Sequence, residues 1–422
     1  MSVREGYKAT EIGIIPKDWE VVQTGEVTIV GAGTGFKEKF QGFTDKEIPF
    51  YKVSDMNITG NEVQMNVANN YVNRSELKDL KAKTFQSGAL IFPKVGAALR
   101  TNKRRMLSRE ACVDNNVMVL TPIEDRIDSM FLYSQYLQID FNTLSNAGAL
   151  PSLNGSQVKK IKFALPPLKE QKKIAYIVST VDQKIDLIET QIKETKALKK
   201  GLMQKLLTEG IGHTEFQDSD IGQIPSGWET VPLPELAKKI TSGGTPSRKK
   251  PEYFENGMIK WIKTGELRDC YIYDSEEKIT EEALKNSSAK LFPQDTLLIA
   301  MYGATIGQTA YLKTECSTNQ ACCAIMFNEK IADPHFYWKY FFFIKENLIS
   351  MGAGAGQPNI SQGIIKSLLM PKPPLEEQKK IADILSTIDN KIETLRAKKE
   401  SFQTLKKGLM QKLLTGEVRV SV

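Results

Sequence analysis

The chain has 422 residues, of which 41% are hydrophobic and 25% charged, and its formal net charge is +7. This is the composition of an ordinary soluble protein, long enough for two or three domains with their own cores. No apolar run approaches the ~20 residues of a membrane span, and the N-terminal residues do not form a signal peptide, so we expect a cytoplasmic protein without a membrane partner.

The residues that usually carry catalysis or metal binding are scarce. The five cysteines include no C-x-x-C pair and are interpreted as buried or free thiols, and the two histidines, His213 and His335, are too few for a zinc site or histidine-based catalysis. The sequence lacks a P-loop, H-E-x-x-H, G-x-S-x-G and the Asn-Pro-Pro-aromatic motif of DNA amino-methyltransferases. The glycine-rich residues 31–35 lack the register of a dinucleotide-binding loop. These absences favour a binding protein over an enzyme, and the positive charge permits an anionic partner.

The first segment, residues 1–165, mixes short β-type runs at 48–53, 89–92 and 117–120 with a helical stretch at 128–138. A basic cluster follows the glycine turn at Gly96, where side chains could neutralise DNA phosphates with an affinity that falls steeply with salt. The alternative interpretation is a solvated surface loop. The candidate DNA contacts of this segment are Lys94, Arg100, Lys103, Arg104 and Arg105.

A long helix is predicted over residues 166–209. Pro166-Pro167 precedes it, Glu170 lies in its first turn and Gly210 follows its end. Its apolar residues step alternately by four and three and form a narrow seam that needs a partner. The seam consists of Ile174, Val178, Val181, Ile185, Ile188 and Ile192.

The segment 210–372 resembles the first in its frame, with Pro-x-x-Trp-Glu near each start, β-type runs at 258–262, 296–300 and 321–327, and a helical stretch at 334–345. Its loop 242–250 combines glycines, hydroxyls and basic side chains. Backbone N–H groups and hydroxyls there could position a phosphate, while Arg or Lys could bind guanine and Gln or Asn could bind adenine. The candidate DNA contacts are Thr245, Ser247, Arg248, Lys249, Tyr302, Gln357 and Asn359.

A second long helix over 373–415 repeats the first, since 26 of the 43 positions are identical to 166–208 by direct count. Its seam consists of Ile381, Leu385, Ile388, Ile392 and Leu395. Each helix also has an interior glycine, at Gly201 and Gly408. We expect an antiparallel pair in which Gly201 faces Ala382 and Gly408 faces Ala175, allowing close approach; the alternative is that both glycines are tolerated defects.

The sequence therefore predicts a pseudo-twofold repeat: α/β (α+β) globular domains in tandem, separated by two long α-helices that pair as an antiparallel coiled coil. The expected boundaries are 1–165, 166–209, 210–372 and 373–422. Double-stranded DNA suits such symmetry because protein dyads match operator dyads. Divergent globular domains would then read different half-sequences.

The chain resembles the specificity subunit of type I restriction–modification systems. The resemblance lies in the paired Pro-x-x-Trp-Glu motifs, in Ser242–Ser247, in Gly356–Ile360 and above all in the two helical repeats running from Pro-Pro-Leu-x-Glu-Gln to Gly-Leu-Met-Gln-Lys-Leu-Leu-Thr. It implies a non-catalytic prokaryotic subunit in which each globular domain reads half of a split DNA site. The helices would set the spacer and bind modification subunits, two being expected. The loop roles are not transferred between halves, because residues 31–36 differ from the second loop.

The resemblance also implies that the cofactors lie elsewhere. S-adenosylmethionine would be bound by the modification subunits, and ATP and Mg²⁺ by restriction subunits that translocate and cleave DNA. Two other functions remain open. A coiled-coil scaffold without base reading would leave the divergent globular domains unexplained, and a fused methyltransferase-nuclease would need cofactor motifs in this chain.

Overall fold

The computed structural model describes residues 4–144, 151–352 and 359–421. The chain divides into two compact units: unit 1 is Met1–Glu189 with Ala397–Val422, and unit 2 is Thr190–Arg396. Each unit contains one globular part and a segment of both long helices. The division into four domains at 165, 209 and 372 stays a prediction, because the structural units cut through the helices. No helix of the described ranges is long and apolar enough to cross a bilayer.

Unit 1 is built from short strands, three 3₁₀ turns among its described residues, and helices. The strands are β1 (Tyr7–Thr10), β2 (Gly13–Pro16), β3 (Glu20–Gln23), β4 (Thr28–Ala32), β5 (Ile48–Tyr51), β6 (Gln64–Met65), β7 (Tyr71–Val72), β8 (Leu90–Pro93), β9 (Arg105–Leu107), β10 (Cys112–Val113), β11 (Val117–Pro122) and β12 (Lys162–Leu165). The helices are α1 (Thr24–Val27), α2 (Leu77–Leu80), α3 (Gly96–Arg100), α4 (Ser129–Leu137), α5 (Phe141–Leu144), α6 (Gly155–Lys159) and α7 (Leu168–Thr208), of which α7 continues into unit 2.

The main sheet of unit 1 has the order β4-β11-β8-β9-β6 and lies beside a smaller sheet, β10-β5-β7. Both faces of the main sheet are covered. Leu90 and Phe92 of β8 pack with Phe131 of α4, whereas Ile91 packs on the opposite face with Tyr51 of β5. Strands buried on both faces read as continuous apolar runs, which is why the sequence reveals them.

Unit 2 repeats this plan. Its strands are β13 (Phe216–Ser219), β14 (Gly222–Pro225), β15 (Glu229–Pro232), β16 (Ala237–Ser242), β17 (Ile259–Ile262), β18 (Cys270–Ile272), β19 (Glu277–Ile279), β20 (Leu291–Phe292), β21 (Leu297–Ala300), β22 (Thr309–Leu312), β23 (Cys316–Thr318), β24 (Cys322–Phe327) and β25 (Leu369–Lys372). Its helices are α8 (Leu233–Leu236), α9 (Glu281–Lys285), α10 (Pro334–Phe343), α11 (Lys345–Met351), α12 (Gln362–Lys366) and α13 (Leu375–Leu414), of which α13 continues into unit 1.

The main sheet of unit 2 has the order β16-β24-β21-β22-β18, and the second sheet is β19-β17-β23-β20. Alternate residues of β21 again pack on opposite faces, Ile299 with Phe336 of α10 and Leu298 with Ile262 of β17. The predicted β-type runs and helical stretches of both segments are therefore confirmed, as is their mixed α and β content.

The five cysteines are free thiols. Burial raises the pKa of the Cys112 and Cys323 thiols to about 12. Thiols held in this protonated state pack as small apolar groups, in keeping with the interpretation from the sequence.

A glutamine at the start of each long helix anchors that helix to its globular part. The Gln171 amide accepts the backbone N–H of Asp128, the residue that caps α4, at 2.9 Å and donates to the Pro166 carbonyl at 2.8 Å. Gln378 does the same with Asp333, the cap of α10, at 2.8 Å and with Pro373 at 2.8 Å. The repeated Pro-Pro-Leu-x-Glu-Gln motif therefore has a structural role, which is to attach each long helix to its globular part.

The long helices bury the apolar seam that the sequence predicts. The buried seam residues are Ile174, Val178, Val181, Ile185, Ile188, Ile381, Leu385 and Ile392, and the half-buried ones are Ile192, Ile388 and Leu395. In unit 1 the start of α7 and the end of α13 share one core cluster, and in unit 2 the end of α7 and the start of α13 share another.

Ion pairs join the two helices inside each unit. In unit 1, Asp182 pairs with Lys406 at 2.6 Å and Glu189 with Lys399 at 2.7 Å, so the contacts advance along α7 as they recede along α13. In unit 2, Lys199 pairs with Asp389 at 2.5 Å. Helix segments that pair in this order run antiparallel within the unit.

The close approach expected at the two interior glycines is wrong. A Cβ added to Gly201 or Gly408 would meet no atom of the described residues within 4 Å beyond its own helix backbone. The Lys199–Asp389 pair places Gly201 at the level of Thr387, not of Ala382. Close packing requires a glycine at neither position, so both glycines are the tolerated defects of the alternative interpretation.

Candidate nucleic-acid interface

The main sheet of unit 2 brings most of its predicted DNA contacts to one end. Ser242, the last residue of β16, pairs with Cys323, and Ala300, the last residue of β21, pairs with Cys322 at the start of β24. The segments that follow or precede these residues therefore emerge side by side. We call them the loop end of unit 2, which consists of residues 243–250, 301–302, 319–321 and 359.

The two glycines of the loop 243–250 serve close packing. A Cβ on Gly243 would overlap the Thr318 carbonyl, and one on Gly244 would overlap the Ser288 carbonyl. The Gly244 N–H donates to the Thr318 carbonyl at 2.9 Å and the Gly243 N–H to that of Cys322 at 3.4 Å. These two N–H groups are thus used inside the unit and do not position a phosphate, whereas the same expectation for the rest of the loop stays a prediction.

The side chains that follow are presented to solvent. Ser247 and Lys249 are exposed, while the half-buried Thr245 hydroxyl bonds to Gln320. The Arg248 guanidinium also lies at the surface, with just over half of the side chain exposed. The loop end therefore offers a cation, a hydroxyl and an amide, the groups that bind phosphates and base edges.

Arg248 is held in a defined orientation. Its guanidinium carbon lies 4.3 Å from the ring centre of Phe254 and 5.1 Å from that of Trp261, and its Nη1 pairs with Glu277 at 2.7 Å. The hydrogen bond from Arg248, followed by that from Lys263, holds the pKa of Glu277 below its usual range. A stacked and paired guanidinium loses little freedom on binding a planar partner.

Tyr302 and Asn359 meet at the same loop end. They form an antiparallel β-bridge, and both side chains are exposed. The neighbouring Ile360 N–H donates to the Met301 carbonyl at 2.9 Å, which fastens the bridge. Gln357 lies outside the described residues, so its predicted contact is not located.

Unit 1 has a loop end of the same construction, at residues 33–35, 94–95, 114–116 and 152. Gly33 follows β4 as Gly243 follows β16, and a Cβ on it would overlap the Val113 and Asp114 carbonyls. The Thr34 N–H donates to the Val113 carbonyl at 3.0 Å, the counterpart of the Gly244 bond. The two loops are not recognisably alike in sequence, because their side chains differ and only their backbone contacts agree.

Lys94 lies at the loop end of unit 1, beside an open cavity of about 440 Å³. The cavity is lined by Gly31 and Ala32 of β4 and by Ser152 and Asn154 across from them. Val95 and Ser152, which also line the cavity, form a β-bridge, and Tyr302 and Asn359 form the corresponding bridge in unit 2. A cation, an amide and a hydroxyl thus meet at this surface too.

The basic run of unit 1 divides into exposed and internal residues. Arg100 is exposed at the end of α3, and the half-buried Lys103 bonds to Asn57. Arg104 is only 3% exposed, and its guanidinium donates to the Asn102 and Ile139 carbonyls. The predicted phosphate contact of Arg104 is therefore wrong.

The environment of Arg104 and Arg105 explains this. The Arg104 guanidinium lies 3.9 Å from the ring centre of Phe141, and burial lowers its pKa to about 10. Arg105 is half-buried on β9, where it donates to the Met56 carbonyl at 3.0 Å, and burial lowers its pKa as well. Both residues support the fold of unit 1.

Two residues at or beside the loop end of unit 2 were not predicted from the sequence. Gln320 bonds to Thr245, and Lys290 donates to the Thr241 hydroxyl at 2.9 Å and the Ser242 carbonyl at 3.0 Å. The Asn-Gln pair before β24 was an available turn signal for Gln320. Lys290 had no signal, because its partners lie far away in the sequence. In the described part of the chain no cluster of His, Cys, Asp and Glu could hold a metal ion.

Comparison with known proteins gives a consistent result. The family model described as the type I restriction modification DNA specificity domain matches residues 16–197 and again 225–403. The MjaX protein of Methanocaldococcus jannaschii is 30% identical over 99% of this chain and 97% of its own length. The type I restriction enzyme MjaVIII specificity subunit of the same organism is 31% identical over 74% of this chain and 76% of its own.

A solved structure shares the fold. The crystal structure of a type I restriction–modification system S subunit from M. genitalium covers 98% of both chains with a TM-score of 0.58 and 13% sequence identity. At this identity the match speaks for the fold alone.

Proposed function

Because the chain belongs to the family of type I restriction–modification DNA specificity proteins, we propose that the loop end of each unit reads one half of a split DNA site. The observation that carries this proposal is the repeated loop end. Gly33 and Gly243 make the same backbone contacts, while the side chains around them differ. A common frame with different side chains is what two readers of unlike half-sequences need.

The chemistry of the loop ends supports DNA as the ligand. Arg248, Lys249 and Tyr302 in unit 2 and Lys94 in unit 1 present cations and an aromatic ring at these surfaces. Arginine is the residue type that makes bidentate contacts to guanine, which Arg248 could supply, and Asn359 offers an amide for adenine. Exposed lysines would add the salt-dependent, sequence-independent part of the affinity.

We propose that α7 and α13 pair as an antiparallel coiled coil that sets the distance between the half-sites. The ion pairs Asp182–Lys406 and Lys199–Asp389 support this pairing within each unit. About 40 residues at ~1.5 Å each make rods of roughly 60 Å. The functional domains would be 1–165 and 210–372 for recognition, with 166–209 and 373–422 as the helical regions.

The chemical steps would belong to partner subunits. Two modification subunits would bring S-adenosylmethionine and methylate the DNA, and restriction subunits would use ATP and Mg²⁺ to translocate and cleave it. This chain would supply the specificity of both activities and act in the cytoplasm.

The test is methylome sequencing of a host that expresses this chain with its modification subunits, compared with a host that lacks only this chain. We expect one split motif, two short unlike halves around a fixed gap, to be methylated only when the chain is present. Unchanged methylation despite a stable complex would refute base reading and favour a scaffold.

A further inference from the structure

Lys339 carries a charge into the interior of unit 2. The residue lies on α10 and is 3% exposed, and its Nζ donates to Oδ2 of Asp389 at 2.6 Å. Asp389 lies on α13, and its Oδ1 pairs with Nζ of Lys199 on α7 at 2.5 Å. A single carboxylate therefore joins the globular part of unit 2 to both long helices.

The surroundings make this cation costly. The Nζ of Lys339 lies 4.7 Å from the ring centre of Trp338 and 5.9 Å from that of Phe342. Burial lowers the pKa of Lys339 despite its hydrogen bond to Asp389. Replacing a buried ion pair by apolar groups of similar volume is often neutral or stabilising, so stability does not explain this lysine. An ion pair fixes the orientation of the two groups that it joins, because it is satisfied in one geometry. Apolar contacts are non-directional and do not fix an orientation.

The helix part of the cluster recurs in unit 1. Asp182 pairs with Lys406 there at 2.6 Å, as Asp389 pairs with Lys199 in unit 2. The carboxylate and one lysine are thus common to both repeats.

The second lysine is particular to unit 2. Counted from the capping residues Asp128 and Asp333, Ser134 of α4 occupies the position of Lys339 in α10. Ser134 is fully buried, and its hydroxyl donates to the Met130 carbonyl of its own helix at 2.8 Å. The same frame folds with a small neutral residue at this position, so the fold does not require the lysine.

We propose that Lys339 is a positioning residue, which acts through Asp389 and Lys199 to fix the orientation of the unit 2 recognition part on its helix segments. The fixed orientation restricts the spacer lengths that the protein accepts. The inference rests on the proposed function, in which unit 2 reads one half-site. A spacer longer by one base pair moves the half-site by ~3.4 Å and turns it by roughly 35°. A recognition part docked only through apolar contacts follows such a change at lower cost than one held by a buried ion pair.

The test uses the full chain carrying K339M, assembled with its modification subunits. This variant removes the charge and leaves Asp389 with one lysine, the arrangement of Asp182 and Lys406. Methylation rates are measured on duplexes with the native spacer and with spacers one base pair shorter or longer. We expect K339M to act on the native spacer within about threefold of the unsubstituted chain and to lose about tenfold of its preference for it. The control is K372M, which removes a partly exposed lysine paired with Glu229 at the surface.

An unchanged spacer preference in K339M would overturn the inference while leaving the proposed function intact. If the unsubstituted chain directs no methylation to a split site, the proposed function itself fails. Should K339M not fold, as judged by thermal unfolding, K199M replaces it, because that change detaches α7 and keeps the Lys339–Asp389 pair. The same loss of spacer preference is expected for K199M, and an unchanged preference overturns the inference there too.

Discussion

Trp228 donates its indole N–H to Oε2 of Glu377 at 3.0 Å, and Trp19 makes the equivalent bond to Glu170 at 3.0 Å. Each tryptophan comes from the start of a globular part and each glutamate from the first turn of a long helix. Two motifs that stand far apart in the sequence are therefore the two sides of one contact. This contact and the neighbouring glutamine bonds fasten each globular part to its helix.

We expect E377L to lower the free energy of unfolding by about 2–4 kcal/mol, because it leaves the buried Trp228 N–H without an acceptor. Glu377 also accepts the Ile211 N–H at 2.8 Å and bonds to His213 at 2.8 Å. E377Q keeps one of the two oxygens, which can serve either the indole N–H or the Ile211 N–H, and should cost less, roughly 1–2 kcal/mol. Urea unfolding followed by tryptophan fluorescence measures both. A loss below about 1 kcal/mol for E377L would mean that the indole bond contributes little.

We expect R419M to weaken the dependence of unit 1 stability on acid pH. Arg419 donates to both carboxylate oxygens of Asp18 at 2.8 Å, and this hydrogen bonding holds the pKa of Asp18 below its usual value near 4. The unfolded chain therefore takes up this proton first as the pH falls, so the stabilisation is complete above about pH 4 and is lost below it. Unfolding measured from pH 3 to 6 should show a smaller decline for R419M. The control is K162M, which breaks the exposed pair with Glu11, and a decline equal to that of the unsubstituted chain would contradict the prediction.

We expect D182K to destabilise unit 1 by about 1–2 kcal/mol and D182K/K406D to recover most of that loss, because the swap restores opposite charges at one level of the helix pair. The two side chains are 21% and 22% exposed, so solvent screens the pair only in part. Thermal unfolding of both variants and of K406D completes the cycle. Additive losses in the double variant would argue against this pairing of α7 with α13.

The buried and the exposed arginines in the basic run of unit 1 should differ in function. R104M is expected to cost about 2–4 kcal/mol of stability, because the Asn102 and Ile139 carbonyls lose their donor and the Phe141 ring loses its cation contact. R100Q should leave stability unchanged and lower the salt dependence of DNA binding by roughly one phosphate contact. Unfolding curves and binding at several salt concentrations, measured on the assembled complex, separate the two. A stable R104M with a reduced salt slope would restore Arg104 as a phosphate contact.

The loop end of unit 2 should contain one specific and one general contact. R248K is expected to relax specificity at one base position by about 1–3 kcal/mol, because lysine cannot reproduce the stacked guanidinium. K249Q should weaken binding to all sequences alike and reduce the salt slope by about one. Competition with single-base variants of the site distinguishes these outcomes. The control is K372Q, whose lysine lies on β25 beside the start of α13.

The sequence by itself determined the repeat, the two long helices with their seams, two inner strands of each main sheet and the family. These features depend on periodicity and on motifs of a few residues, which local sequence records directly. It also located the second loop end well, because Ser247, Arg248 and Lys249 follow a strand and remain exposed.

Only the tertiary structure decided which polar residues face solvent and which glycines are required by close packing. Arg104 and Arg100 look alike in the sequence, yet Phe141 and Ile139 fold over the first and leave the second free. Gly243 is required by a carbonyl of Thr318, whereas Gly201 meets no neighbour. The free energy of burying a charge, or of omitting a side chain at a glycine, depends on atoms from distant parts of the chain. No local sequence pattern records those atoms.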